Sequence, residues 1–291
     1  MTSMATIMTA QGTTGVEHST SRLVVLWRYR ELMWMLAWRD IRVRYKHSIL
    51  GAAWAVIPPL MMMLVFTFVF GSVTDIDQQK LTGHPNVPYA LFAFSGLVPW
   101  MFLSNSLSSA TISLVANRQL VTKIYFPREV FPLSCLISSF IDFLVSSVLL
   151  VVLGIGFHLQ HQGWSYELHP SILFLPVVVG VQILFMAGMA MILSMANLFY
   201  RDVNFLFRAA VQLWMFVTCV VYQLNSATGW KRALIHMNPM TPIIRAYRDC
   251  LLFGRWPGDW AFWNAAVVSL LLFVVGWHWF RRREHEFAEY I

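Results

Sequence analysis

The sequence predicts an all-α integral membrane protein with six transmembrane helices. Of its 291 residues, 58% are hydrophobic and only 12% are charged, whereas an ordinary soluble domain has about 25% charged residues. Several uncharged stretches exceed 20 residues, and at about 1.5 Å per residue such a helix crosses a hydrocarbon core of about 30 Å. This composition argues strongly against a soluble monomer.

Six segments have the length and composition of transmembrane helices. Residues 1–21 precede them and lack the apolar core of a signal peptide, so we expect a mobile amino-terminal tail. Residues 49–285 form the six-span domain, and residues 286–291 form a short carboxyl-terminal tail. Pro58 and Pro59 should kink the first span, because proline interrupts helical hydrogen bonding. The predicted spans are residues 51–71, 87–117, 130–157, 170–199, 204–224 and 260–280.

The distribution of basic residues predicts the orientation of these spans. Fifteen of the 21 Lys and Arg residues lie in the amino-terminal segment, the second and fourth connections and the carboxyl-terminal tail. Five of the other six lie in one external segment before the last span. Because cytoplasmic loops are enriched in Lys and Arg, we expect both termini in the cytoplasm.

Residues 22–48 predict an amphipathic helix at the cytoplasmic membrane interface. Aromatic and aliphatic residues recur with helical periodicity, and basic residues lie away from them. Both tryptophan and arginine are favourable at this interface. A simple lipid anchor and a working part of a mechanism fit the pattern equally well. The predicted apolar stripe contains Leu23, Trp27, Trp34, Trp38, Ile41 and Tyr45.

The connection between the second and third spans, residues 118–132, combines charge with aromatic side chains. It is too charged to lie in lipid. Aromatic anchors inside a charged rim suit docking into a groove of a cytoplasmic partner. A plain positively charged cytoplasmic loop is the other interpretation. The residues concerned are Lys123, Tyr125, Phe126, Pro127, Arg128 and Glu129.

Residues 225–259 form an unusual external segment before the last span. Pro239 and Pro242 mark the start of a helix that is too short and too charged to cross the membrane. One interpretation is a re-entrant helix, which must line a cavity inside the protein. The other is a helix that rests on the outer interface. An apolar stripe of Ile243, Ile244, Tyr247 and Leu251 lies opposite Arg245, Arg248 and Asp249.

Motifs for covalent or metal chemistry are missing from the sequence. It contains neither a P-loop nor a Gly-x-Ser-x-Gly motif. His158, His161, Glu167 and His169 are close in sequence, but their spacing matches no strong zinc pattern. We therefore expect neither catalysis nor a metal or cofactor on this chain.

Asp142 is the acidic residue within a predicted span, which makes it a candidate functional residue. An arginine partner, a proton relay, a polar substrate and neighbouring serines are all compatible with it, and we favour a polar contact between helices.

Aromatic residues form 15% of the chain, mostly for packing and lipid contact. Candidates for lining a conduit are Phe66, Phe68, Phe70, Trp100, Phe102, Asp142 and Tyr222.

Four features in this order resemble one family. After the basic amphipathic helix come RVRYKHSILGAAWAVIPPL, then VTKIYFPREVFP, then NPMTPIIRAYRDCLLFG before the last span. Together they resemble the membrane subunits of polysaccharide-exporting ABC transporters. These are the type-2 permeases that include the O-antigen, capsule and teichoic-acid exporters (Wzm, KpsM and TagG/TarG types). The resemblance covers residues from about 25 to 285, and the polar segment before it has no counterpart.

The resemblance implies roles for particular residues, and it favours docking for residues 118–132 and re-entry for the outer segment. Leu50, Gly51, Trp54 and Pro58 look like the start of the family's first span. The interfacial or gate helix would include Arg39, Asp40, Arg42, Arg44 and Tyr45. The ATPase-coupling segment would include Lys123, Tyr125, Phe126, Pro127, Arg128 and Glu129. The outer re-entrant gate would include Asn238, Pro239, Thr241, Pro242, Arg245, Tyr247 and Arg248.

The resemblance also implies a function. Two copies would form a channel for a lipid-linked polysaccharide across the inner (plasma) membrane, with two cytoplasmic ABC ATPase subunits that hold the ATP and Mg. Membrane lipids would be further partners, and nucleic acid would not. A type-2 permease for a lipid, drug or small glycolipid is one alternative. A membrane-embedded transferase acting on a lipid-linked sugar is another.

Overall fold

The computed structural model describes residues 27–46, 48–73, 81–83, 87–123, 127–160, 169–222, 237–284 and 287. The predicted tail at 1–21, Tyr125, Phe126 and the first part of the external segment lie outside these ranges. Within the ranges, the α-helices are α1 (Arg30–Tyr45), α2 (Ile57–Phe68), α3 (Tyr89–Ala116), α4 (Arg118–Lys123), α5 (Val130–Gln160), α6 (Leu175–Phe199), α7 (Asp202–Val217), α8 (Met240–Leu251) and α9 (Trp260–Arg283).

Four helical stretches are long and apolar enough to cross a membrane: Tyr89–Ala116, Val130–Leu159, Pro170–Phe199 and Trp260–Arg283. They coincide with the second, third, fourth and sixth predicted spans. The first and fifth predicted spans contain shorter helices, an apolar one over Ile57–Gly71 and the 16-residue α7. The chain is therefore a helical multi-pass membrane protein, and the count of six spans stays a prediction.

The start of the first predicted span differs from the expected kinked helix. A 3₁₀ helix, Gly51–Ala55, comes first, and α2 then begins at Ile57 with Pro58 and Pro59 in its first turn. Proline is tolerated there, because amide groups in the first turn of a helix have no partner within the helix. The expectation of a proline kink inside one continuous helix was wrong: the prolines begin α2.

The central helix is α3, which packs against α2, α5, α6, α7 and α8. In its most apolar stretch, 78% of the residues are buried inside the protein, compared with 22% in the corresponding stretch of α9. Several of its hydroxyl groups donate to its own backbone. Thr111 donates to Leu107 O at 2.6 Å, and Ser95 donates to Phe92 O at 2.8 Å. A helix with several polar residues can therefore occupy the core.

The amino-terminal helix α1 packs along α5, and its buried residues are Leu36, Ala37 and Ile41. Among the described residues of the predicted stripe, Ile41 is buried on this face and Tyr45 contacts Asp142 on α5. The tryptophans predicted for the stripe point away from the protein, with Trp27, Trp34 and Trp38 exposed by 69%, 52% and 43%. The small Ala37 side chain allows close helix packing, while the exposed indoles suit a membrane interface.

Two glycines allow α6 and α9 to approach closely. A Cβ atom at Gly276 would lie 2.6 Å from Gly188 O, and one at Gly188 would lie 2.7 Å from the Leu272 backbone. Both distances are too short for a real carbon atom. Small residues at such crossings permit the backbone packing that holds membrane helices together.

We predict that Gly276→Ala destabilises the chain by about 1–3 kcal/mol, because the added methyl group would overpack this crossing. The matched control is Gly180→Ala on α6, where a Cβ atom has nothing within 4 Å. There alanine should be neutral or stabilising by up to about 1 kcal/mol. Thermal unfolding in detergent measures both, and equal melting temperatures for the two variants would contradict the close crossing.

Candidate functional site

Asp142 is paired with the end of α1. Arg44 Nη1 donates to Asp142 Oδ2, and Tyr45 Oη donates to Asp142 Oδ1 at 2.8 Å. The Asp142 side chain is only 11% exposed, so its charge requires partners. Burial, together with the hydrogen bond to Asp142, raises the pKa of Tyr45 to about 12, which keeps its phenol protonated as the donor. The expected polar contact between helices is present, and its partners are an arginine and a tyrosine.

The other residues assigned to the interfacial or gate helix lie on the more exposed part of α1. Arg39 donates to Asp40 Oδ1 and to Asn117 Oδ1, both at 2.9 Å. Arg42 lies 5.5 Å from the Trp38 ring centroid. The contact with Asn117 ties α1 to the end of α3, and the Asp142 contact ties it to α5.

A cavity of about 510 Å³ lies beside the Asp142 pair. It is bounded by the end of α1, the 3₁₀ helix Gly51–Ala55, the start of α2, and facing parts of α3 and α5. Two residues expected at the start of the first span, Trp54 and Pro58, are on its wall. The complete lining is Arg44, Tyr45, Ser48, Trp54, Ala55, Pro58, Pro59, Met101, Asn105, Ser108, Ser109 and Asp142.

The predicted coupling segment is attached to the carboxyl-terminal end of the chain. The Arg128 backbone N–H donates to Glu284 Oε1 at 3.4 Å, and its guanidinium donates to Glu284 O. That guanidinium also lies 5.7 Å from the Phe287 ring centroid. Lys123 ends α4, Pro127 and Arg128 are half-buried, and Glu129 is buried. We call the contacts of Arg128 with Glu284 and Phe287 the carboxyl-terminal clamp.

Phe287 anchors this clamp. Its side chain is fully buried and packs edge-on against Phe280 and Phe199, with centroid distances of 5.1 and 6.1 Å. The coupling segment is thereby held against the ends of α6 and α9. Neither Glu284 nor Phe287 was identified from the sequence, because their contacts with Arg128 join residues more than 150 positions apart.

The predicted outer gate contains α8, a short helix buried between α3, α6 and α9. Its start is fixed by Asn238, which accepts a bond from the Met240 N–H at 3.1 Å and donates to Thr218 Oγ1 at 2.8 Å. Pro239 precedes the helix, and Thr241 and Pro242 lie in its first turn. The helix is therefore buried inside the protein, and its re-entry from the outer face stays a prediction.

Tyr247 and the adjoining arginine attach α8 to the spans by different contacts. Tyr247 Oη donates to Gln182 Oε1 at 2.7 Å, and Gln182 Nε2 donates to Pro99 O at 2.7 Å. Tyr247 thus connects α8 through α6 to α3. Gln182 was missed, although an amide within an apolar span is a detectable signal.

Arg248 is 5% exposed. Its guanidinium lies 3.8 Å from the Phe92 ring centroid and donates to Val220 O. In contrast, Arg245 is exposed and lies 3.3 Å from Asp259. Arg248 is therefore a buried cation on an aromatic face, and Arg245 forms a surface ion pair.

The candidate conduit aromatics lie in different environments. Trp100 and Phe102 are buried inside the protein and pack against Trp214 and Phe143, with centroid distances of 5.7 and 5.0 Å. The other candidates lie nearer the surface. Phe68 is exposed by 64%, Phe66 stacks on Phe70, and Tyr222 Oη donates to Phe216 O at 2.6 Å.

These features define a helical multi-pass membrane protein in which predicted functional segments are anchored to spans by polar and aromatic contacts. Among the described residues there is no cluster of three or more His, Cys, Asp or Glu side chains that would hold a metal ion.

Comparison with known proteins identifies the family. The model of the ABC-2 type transporter family matches residues 31–252. The chain belongs to this family, which confirms the resemblance recognised in its motifs.

The named relatives match nearly end to end. The O-antigen export system permease protein RfbA of Myxococcus xanthus is 31% identical over 268 residues, covering 91% of this chain and 97% of that protein. A protein of the same name from Klebsiella pneumoniae is 28% identical, covering 89% and 94%. The polysialic acid transport protein KpsM of Escherichia coli is 19% identical, covering 84% and 91%.

The carboxyl-terminal clamp leads to a prediction about proteolysis. Phe287→Ala should speed tryptic cleavage after Arg128 on the order of tenfold or more, because loss of a buried phenylalanine costs about 3–5 kcal/mol and frees the segment. Trp279→Ala is the matched control, since Trp279 is 51% exposed near the same end of the chain. Mass spectrometry of timed digests measures the rates. Equal cleavage in all three proteins would show that Phe287 does not hold the segment.

Proposed function

We propose that this chain is the membrane subunit of an ABC exporter that moves a polysaccharide across the inner (plasma) membrane. The observation that carries the proposal is the nearly full-length match to O-antigen export permeases, together with the weaker match to a polysialic acid transport protein. The sequence contains no P-loop, which is compatible with ATP hydrolysis on a separate ATP-binding protein.

The proposed assembly contains two copies of this chain and two cytoplasmic ABC ATPase subunits, which hold ATP and Mg. The substrate is a lipid-linked polysaccharide, and this chain carries out no covalent step. ATP binding and hydrolysis shift the assembly between conformations that bind and release the polymer, which requires differential contacts in the two states. The buried, span-connected position of α8 supports its role as an outer gate.

The coupling segment receives the motion of the ATPase in this proposal. Lys123, Tyr125, Phe126, Pro127, Arg128 and Glu129 form or adjoin the docking surface. Besides docking, Arg128 transmits motion in this proposal: its contacts with Glu284 and Phe287 carry a displacement of the coupling segment to the end of α9. A rigid connection of this kind is required if a motion at the surface is to move membrane helices.

Purification from the native membrane and deletion of the gene test the proposed function together. We expect a P-loop ATPase to copurify with the chain, and deletion to remove a polysaccharide from the cell surface while polymer accumulates inside. A P-loop lysine variant of the ATPase should reproduce the deletion phenotype. If no P-loop ATPase copurifies and deletion of the gene leaves the surface polymer unchanged, the proposal is contradicted. An ATPase partner with unchanged polymer would point to a different exported substrate.

Cysteine labelling in intact cells tests the proposed orientation. The three native cysteines are buried, so introduced cysteines give the dominant signal. A membrane-impermeant maleimide should label Met237→Cys and Trp256→Cys, which replace side chains 82% and 60% exposed in the outer segment. Tyr200→Cys, at a site that is 73% exposed, should react only after the cells are opened. Labelling of Tyr200→Cys in intact cells would overturn the predicted topology.

A further inference from the structure

The cavity beside Asp142 has the volume of a ligand site. Its volume of about 510 Å³ falls within the roughly 300–1,000 Å³ of typical small-molecule pockets. It lies within one copy of the chain, between the end of α1 and the facing parts of α3 and α5. In the proposed topology, α1 approaches from the cytoplasm, so the cavity is on the cytoplasmic approach to the membrane.

One wall of the cavity carries polar groups that the fold does not use. Asn105, Ser108 and Ser109 lie on one face of α3, which is a membrane span. Among the interactions of the described residues, none engages these three side chains. The hydroxyl of Ser48, which also lines the cavity, is buried without a hydrogen-bond partner. Polar groups inside a membrane protein normally face a partner or a water-filled cavity, and here they face the cavity.

The charges on the wall select against an anionic ligand. Arg44 and Asp142 are the charged residues of the lining, and they neutralise each other by direct contact. A phosphate at Arg44 would meet the Asp142 carboxylate as well. Hydroxyls, an amide and a neutralised ion pair instead offer both donors and acceptors, which a neutral polyhydroxyl ligand can satisfy.

The cavity is also lined by an indole ring, in addition to its polar groups. Trp54 lines the cavity and is 50% exposed, so its ring is accessible to a ligand. The electron-rich face of an aromatic ring attracts the positively polarised C–H groups on one face of a sugar. An accessible indole beside hydroxyl and amide groups therefore combines the apolar and polar contacts that a sugar ring needs.

We propose that this cavity binds neutral sugar units of the exported polysaccharide on their way into the membrane domain. Trp54 stacks on the sugar face, and Asn105, Ser108, Ser109 and the ion pair bind its hydroxyls. The identity of the ligand as part of the exported polymer rests on the proposed function. The cavity thereby discriminates among polymers before they reach the outer gate.

Binding to the purified full-length chain in nanodiscs of sugar-free lipids tests this site. The probes are the methyl glycosides of glucose, mannose and N-acetylglucosamine, observed by saturation-transfer difference NMR, with inorganic phosphate as a competitor. At least one glycoside should receive saturation from the protein. Trp54→Ala and the double variant Ser108→Ala/Ser109→Ala should each weaken its binding about tenfold or more, and phosphate should not displace it.

Two control variants separate this effect from general damage. Trp263→Ala removes an indole that is 49% exposed on α9. Ser147→Ala removes a hydroxyl that bonds within α5 to Phe143 O. Both should bind the glycoside as the unaltered chain does. A glycoside signal that is missing, unchanged in the cavity variants, or displaced by phosphate would overturn the assignment.

The binding measurement needs neither the ATPase nor export, so its failure is distinct from failure of the proposed function. If deletion of the gene abolishes surface polymer while no glycoside binds, the cavity assignment fails and the exporter function stands. If the glycosides bind as expected while the surface polymer is unaffected by deletion, the sugar site stands and its ligand is not the exported polymer.

Discussion

The contact of Arg44 and Tyr45 with Asp142 determines how the amino-terminal helix is held against the spans. A carboxylate on an apolar helix is costly to bury unless its charge is neutralised and its oxygens accept hydrogen bonds. Arg44 and Tyr45 meet both needs, one at each oxygen. Because they are adjacent at the end of α1, satisfying Asp142 fixes α1 on α5. Ser146 on α5 also donates to Ala55 O in the following 3₁₀ helix, at 3.1 Å, so α5 positions both elements around the cavity.

The same constraint operates at the two other segments with assigned roles. Tyr247 and Arg248 bring polar groups into the interior and are accommodated by Gln182, backbone carbonyls and the Phe92 ring. Arg128 is engaged by the carboxyl-terminal clamp. Each segment is therefore attached to spans by specific contacts rather than resting on them. Under the proposed function, such attachments would carry movement of the coupling segment to the spans.

The sequence supports the span prediction best where one local property decides the structure. Long uncharged stretches predicted α3, α5, α6 and α9, because a membrane helix satisfies its backbone internally and needs only length and apolarity. The Pro58–Pro59 pair was misinterpreted, since proline at a helix start and proline inside a helix look alike until the start is known. Side-chain environment was also ambiguous: Trp100 and Phe102, candidates for a conduit wall, are buried inside the protein.

Side-chain contacts between residues distant in the chain could not be predicted from the sequence, for a physical reason. Asp142 had four compatible interpretations, and nothing local in the sequence identifies Arg44, 98 residues away, as its partner. The Phe287 contact with Arg128 likewise depends on how the ends of α6 and α9 pack around Phe287. Family resemblance supplied roles for both regions without supplying these contacts, because motifs identify segments and the fold determines what each side chain touches.

A double-mutant cycle on Arg44→Ala and Asp142→Ala tests this account most directly, with the exposed pair Arg39→Ala and Asp40→Ala as its matched control on the same helix. Unfolding free energies in detergent should give a coupling of about 1–3 kcal/mol for Arg44 and Asp142. Arg39 and Asp40, whose side chains are 45% and 31% exposed, should couple by about 0–1 kcal/mol. A coupling energy for Arg44 and Asp142 that is no larger than that of the control pair would contradict the central role of this contact.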